Sequence, residues 1–380
     1  MMEWIPGHIT KRVDEDLNPD GTAVIEIDVN SRRFASVIFV GEKSYANKIT
    51  LQCLNTDGVI QWIEKETSLS YGIRFQLEKK ENREYHFQAC MDGIAVSPFG
   101  SIEVKFDHNG KLLLFAIYGP FPAKEIIEKE TYVLTLKDVE QLSRKQLKLI
   151  EYPSDEEKRF IPVYCIEEIY IPNNQTLTIP FEFNVDGRLY IQINKKLCWE
   201  TPINKPFERT EMKILEDISV EQAFSCEPHP DTFPITTCEQ EKCITAVEDF
   251  LRQVYPNDTG KWILKTFHRE SGYIQAILKP HHQDDRLFQR NITVMIDANN
   301  YTVINYLDNQ FFLDMFHDFT ATKKITINRD EAYEKIRPFI GLKPIYVYDM
   351  KQKKYMLCGK IDCQLGVHAT NGEVISLNDL

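Results

Sequence analysis

One order of strands, turn and helix occurs twice in this chain, and that recurrence limits the fold more than any other feature. Offsets of 188 to 191 residues align Gly72 with Gly260, Tyr85 with Tyr273, Ile102 with Ile292, and Leu134-Thr135 with Ile325-Thr326. A match held across strand, turn and helix points to tandem duplication, and two copies are too few for a solenoid. The clearest segment is the later hairpin. Ile292, Val294 and Ile296 alternate with Thr293 and Met295, and Asp297-Ala-Asn-Asn300 supplies turn chemistry before Tyr301 to Tyr306 returns. The earlier hairpin has Ile102, Val104 and Phe106, then His108-Asn-Gly110, then Leu112 to Tyr118. Asn-Gly is a strong hairpin signal.

A helix follows each hairpin. Asn328 suits an N-cap with Glu331 three residues on, Ala332, Ile336, Phe339 and Ile340 share a face, Pro338 distorts the last turn and Gly341 suits the stop. The earlier counterpart is expected over 137–150, with Leu142, Leu149 and Ile150 as its apolar side and Tyr152-Pro153 as its end. Further strands are expected over 22–29, 33–40, 50–54, 59–63, 72–77, 85–89, 161–170, 177–185, 189–194, 262–267 and 273–278. Helices are expected near 219–224 and over 243–255, where Ile244, Val247, Phe250 and Leu251 lie on one face. The fold class is therefore α+β: tandem duplicated units, each a helix packed on a curled antiparallel sheet. The units are expected at 1–205 and 243–380, joined by a linker at 206–242 that carries Pro206, Pro228, Pro230 and Pro234.

At 380 residues the chain exceeds one typical core. Its 43% apolar content suffices for folding, and 22 Phe with 17 Tyr favour strands. The net charge of −12 argues against nucleic acid or an anionic membrane as partner, because phosphate binding needs clustered Lys and Arg. No basic region precedes an apolar run at the start, so no signal peptide is read. The longest apolar run, Leu112 to Tyr118, is too short to span a bilayer. Nine cysteines without framework spacing read as reduced thiols of a cytoplasmic protein.

The densest set of metal-type residues is Cys226, His229, Asp231, Cys238 and Cys243. Zinc accepts these ligands, but the spacings are Cys-x2-His and Cys-x4-Cys without a paired Cys-x2-Cys knuckle. A proline-rich linker that happens to carry thiols fits better. His281-His-Gln-Asp-Asp285 is another polar group of ligand types, read more simply as a hairpin tip. Strand alternation puts Cys358 and Cys363 on opposite faces. No Gly-x-Ser-x-Gly elbow, Walker loop, Gly-x-Gly-x-x-Gly or His-Glu-x-x-His occurs. Phe311, Phe312, Phe316 and Phe319 are read as core rather than partner surface.

The runs Ile325 to Ile336, Ile345 to Tyr355 and Val367 to Ile375 resemble a PepSY-type unit, and the whole is similar to the bacterial YcdB/YcdC repeated-domain proteins. Ala369-Thr-Asn-Gly-Glu-Val-Ile375 stands where such units turn with Asp-x-x-x-Gly-Glu-Val-Ile. The resemblance is clearest over 240–380 and fainter over 60–185. It implies a cystatin-like helix on a sheet, and a module that restrains peptidases or binds without catalysis. It carries no catalytic residue to transfer. Relatives often bear an export signal or lipid anchor, which this chain is not read to have. The expectation is a noncatalytic protein-binding module, with a peptidase as one partner class and no cofactor. The alternative is a hydrolase or metal-dependent regulator using the loops at 226–243 and 281–285.

Overall fold

The structure is a computed structural model that describes residues 2–8, 17–28, 31–45, 55–127, 130–174, 178–181, 188–212, 219–225, 227–282, 285–320, 324–349 and 352–380. It is α+β, mostly sheet with few helices. Residues up to Tyr118 contribute β1 (Met2–Trp4), β2 (Ala23–Ile27), β3 (Phe34–Phe39), α1 (Thr56–Thr67), β4 (Phe75–Glu81), β5 (Glu84–Met91), β6 (Ile94–Ser97), β7 (Ser101–Phe106) and β8 (Leu112–Tyr118). They run in the order β1-β2-β3-β8-β7-β5, with β4 on the far side of β5. Helix α1 buries Val59 and Ile63 against Phe75, Tyr85, Phe87 and Val104. The strand expected at 59–63 is thus a helix. Asn55 accepts from Gly58 N at its start, and the i, i+4 spacing of Val59 and Ile63 matches a helical stripe as well as it matches a short apolar run. The strand expected at 50–54 lies outside the described residues.

After this lobe come α2 (Glu140–Gln146), β9 (Leu147–Ser154), β10 (Arg159–Ile166), β11 (Ile169–Pro172) and β12 (Ile179–Pro180). The helix expected over 137–150 ends early, because Leu147 to Ser154 pair residue for residue with β10, from Leu147 opposite Ile166 to Ser154 opposite Arg159. Those ladder bonds and the burial of Leu147 override a local helical pattern. β9 lies at the edge of its sheet, where Pro153 is tolerated. Most of the strand expected at 177–185 is outside the described residues.

A second sheet-and-helix lobe follows: β13 (Ile191–Leu197), α3 (Val220–Ser225), α4 (Thr237–Val254), β14 (Trp262–Glu270), β15 (Tyr273–Pro280), β16 (Ile292–Asp297) and β17 (Val303–Asp308). The sheet order is β13-β14-β15-β16-β17, all antiparallel. Helix α4 packs Cys243, Val247, Phe250 and Leu251 on Leu264, Phe267, Ala276, Leu278 and Val294. The order β4-β5-β7-β8 in the first lobe parallels β14-β15-β16-β17 here. Both first hairpins shift register at matching places, between Leu77 and Lys79 and between Leu264 and Thr266. Both second hairpins shift just before the turn, between Lys105 and Phe106 and between Met295 and Ile296. Gly72 and Gly260 precede the first strands with φ of +73° and +72°. The pairing of Tyr85 with Tyr273 does not hold: Tyr85 is buried and Tyr273 half-buried, because the β14–β15 hairpin is the longer.

The chain closes with α5 (Gln310–Leu313), α6 (Arg329–Ile336), β18 (Gly341–Asp349), β19 (Lys354–Asp362), β20 (Leu365–His368) and β21 (Val374–Ser376). The capping box of Asn328 and Glu331 is present, and Pro338 lies in a 3₁₀ turn at Arg337–Phe339. Phe339, expected on the apolar face, is 54% exposed, because that turn rotates it away from Ile336. Gly341 opens β18 rather than capping the helix. These strands pair with the stretch before the second lobe in a reciprocal way. β11 pairs with β19 and β20 with β10, placing Ile171 opposite Gly359 and Tyr164 opposite Val367. β18 runs parallel to β6 and joins this region to the first lobe. The shared core holds Val139, Leu147, Ile171, Ile336, Ile361 and Val367. Among the described residues no helix is long and apolar enough to cross a membrane.

Candidate functional site

The outer edge of the second lobe is built around β17. Asp297 Oδ1 accepts from Asn299 N at 2.7 Å, and Asn300 Oδ1 accepts from Thr302 N at 2.9 Å. Tyr301 takes φ of +59° between them. These Asx contacts fix the β16–β17 turn and hold it over the side of α4. Between turn and helix lies a groove of about 870 Å³, whose walls include Lys242, Ala246, Asp249 and Phe250 from α4, Asn299 to Val303 from the turn, and Lys205 to Glu208. The Lys242 ammonium sits 4.5 Å from the centre of the Tyr301 ring.

Residues 206–242, expected as linker, contribute directly here. Phe207 places its ring 5.3 Å from Phe250 and 5.7 Å from Tyr306. Thr210 N donates to Ile304 O at 2.8 Å, so this segment touches the outer side of β17. No described strand covers that side. At the far end, Asp308 accepts from Tyr255 Oη at 2.8 Å and from Arg290 Nη2 at 2.7 Å. Burial alone would raise the Asp308 carboxyl, but the hydrogen bonds from Arg290 and Tyr255 hold it below the usual carboxylate range. The edge is thus pinned at both ends.

The residues singled out from the sequence are scattered. Cys226 lies outside the described residues. His229 caps a short 3₁₀ turn, accepting from Asp231 N at 3.2 Å, while Asp231 Oδ1 accepts from Gly272 N at 3.1 Å. Cys238 is exposed on α4. Cys243 is fully buried in the lobe core, and burial pushes its thiol up to about 11. Positions five apart on a helix face different ways. Among the described residues no three His, Cys, Asp or Glu side chains gather in a way that could hold a metal ion.

At the 281–285 tip, His281 Nδ1 lies 3.3 Å from His282 Nε2. Nearby Lys196, then burial and His282, lower the His281 pKa. Asp284 is outside the described residues. Cys358 and Cys363 belong to separate clusters. The aromatic run divides. Phe311 and Phe312, on the four-residue helix α5 past the end of β17, are 58% and 54% exposed, against the core expectation. Phe316 and Phe319 instead pack on Phe160, at 6.2 and 5.7 Å.

Pro206-Phe207 is the sequence signal for the groove beside β17, an aromatic residue next to a proline in the segment expected as linker. No protein-family description matches the chain. No curated protein matches it. Among solved structures, the Bacillus megaterium YpeB C-terminal domain overlaps 64% of this chain and 98% of its own, at 9% identity and a TM-score of 0.19. At that TM-score the likeness carries no argument.

Proposed function

We propose that the chain is a noncatalytic protein-binding module of two duplicated sheet-and-helix units, akin to the YcdB/YcdC proteins with PepSY-type units. In this reading it takes an extended segment of a protein partner along the outer side of β17. The observation that carries it is the groove of about 870 Å³ beside an edge strand that no described strand covers and that the chain's own segment meets at Thr210, whose N donates to Ile304 O. An edge strand offers backbone hydrogen bonds to an added strand, and a neighbouring groove can select its side chains. The matched strand orders and register shifts support the duplication. The resemblance makes a peptidase the first partner class to test.

The test is capture from native cell extract with the tagged full chain, alongside Ala246→Trp, which fills the groove from α4. A stoichiometric partner that Ala246→Trp loses, and that slows amide exchange over 303–308, is the expected result. No partner, or one held equally by the variant with unchanged exchange, would refute the docking site.

A further inference from the structure

The first lobe contains a second cavity, of about 840 Å³, between α1 and the curl of β1, β2 and β3. Its surroundings are unlike those of the groove beside β17. Ala23, Ile25, Val37, Phe39 and Phe115 line it and are buried. Trp62 from α1 forms one wall, braced edge-on against Phe115 at 5.2 Å. Met2, Trp4, Ile27 and Phe34 line it too and are 39 to 65% exposed, so the apolar lining reaches the surface. The charged lining residues are Lys65 and Glu66, both from α1. Gly21 also lines the space, and a Cβ there would meet the Tyr45 ring at 2.1 Å, so glycine is what lets Tyr45 close this side.

We propose that this cavity binds a free long-chain carboxylate, its hydrocarbon chain among these walls and its head group beside Lys65. The volume lies within the roughly 300–1,000 Å³ range of small-ligand sites. A peptide carries an amide at every residue, and walls so poor in polar side chains would leave those groups unpaired. A hydrocarbon chain has no such need. Lys65 is exposed. It supplies positive charge at the mouth, while Glu66 beside it opposes an anion. The proposal is independent of the strand-docking reading, since it concerns the other lobe.

The test is calorimetric titration of the full chain with octanoate, decanoate, dodecanoate and decanol. Burial of hydrocarbon predicts affinity rising roughly fourfold per added methylene until the cavity is filled. One site per chain is expected. Ile27→Trp at the mouth and Ala23→Leu inside are each expected to weaken dodecanoate at least tenfold, with circular dichroism confirming the fold. Lys65→Gln is expected to weaken decanoate several-fold and leave decanol unchanged, and Glu66→Gln to tighten decanoate. Absence of binding, binding without chain-length dependence, or binding that both cavity variants retain would overturn the site. Decanoate binding indifferent to Lys65→Gln would overturn the carboxylate.

Discussion

The two sheet-and-helix lobes share a strand order and differ in where extra strands attach. In the first, β3, β2 and β1 extend the sheet beyond β8 and curl round α1, leaving β4 at the other side. In the second, β13 covers β14, and β17, the strand in the place of β8, stays at the edge. An apolar cavity lies beside α1, while a groove with Lys205, Asn299, Asn300 and Asp249 lies beside α4. One plan thus yields two kinds of surface, and placement of the added strands decides which. Leu77 and Leu264, each just before the register shift, test this directly. Leu264 is fully buried in the core with α4, on a strand flanked by β13, whereas Leu77 on the uncovered β4 is half-buried. Leu264→Ala is expected to cost about 2–5 kcal/mol in denaturant unfolding, and Leu77→Ala about half that or less. Equal losses would mean the covering strand does not set the packing.

The next effect lies where the reciprocal strands meet. Ser143 Oγ and Tyr333 Oη, from α2 and α6, share a buried hydrogen bond of 2.5 Å. Arg144 reaches Glu334 at 2.5 Å and lies 4.2 Å from the Tyr333 ring centre. Ser143→Ala leaves the Tyr333 hydroxyl short of this partner, at an expected cost of about 1–3 kcal/mol. Arg144→Ala also removes a guanidinium stacked on an aromatic ring. Exposed ion pairs contribute little, so its cost is expected to be smaller than that of Ser143→Ala. If Ser143→Ala has no effect on the unfolding midpoint, the contact does not help hold the two helices together.

Helix starts separate the lobes by a smaller amount. Thr236 and Glu239 form a full capping box on α4, and Arg269 Nη2 reaches Glu239 at 2.6 Å. Asn55 caps α1 through its side chain alone. Thr236→Ala is expected to cost about 1–2 kcal/mol and Asn55→Ala about 0.5–1 kcal/mol, read from unfolding midpoints. The reverse order would show that neighbours of α1 replace its cap.

What was legible in the chain follows the physics of each element. The 292–306 and 102–118 hairpins declare themselves through alternation and turn residues, and the Asn328 box through its spacing. These signals are local. Helix α4 begins at Thr237, six residues before the expected start, although Thr236 and Glu239 stood in the sequence as a capping box. The nearby prolines drew that stretch into the linker. Residues 147–150 became strand through pairing with β10, which no local pattern encodes. The groove was hidden for the same reason: it gathers Phe207, Phe250 and Tyr301 from distant segments. The Cys and His candidates were visible as residue types, but their separation depends on which side of α4 faces the core.

That separation gives the smallest predicted effect. Cys238 is exposed on α4, while Cys243 is fully buried, its thiol raised from 9.0 to about 11 by burial first and then by the Glu239 carboxylate. Burial likewise raises Cys358 from 9.0 to about 12. In the unfolded chain both thiols lose their protons near the ordinary value, whereas in the folded chain they keep them to higher pH. The folded state therefore binds more protons above pH 9, and stability falls as pH rises from there through about 11 to 12. Below pH 9 both states hold the protons and the contribution is fully present. Cys243→Ala is expected to flatten part of that decline between pH 9 and 11, measured by urea midpoints at fixed ionic strength. Iodoacetamide at pH 8 is expected to label Cys238 and Cys198 in the folded protein and spare Cys243, read by peptide mass spectrometry. Labelling of Cys243 as fast as Cys238 would mean that α4 opens readily from its sheet, and the burial contrast between its two sides would fail with it.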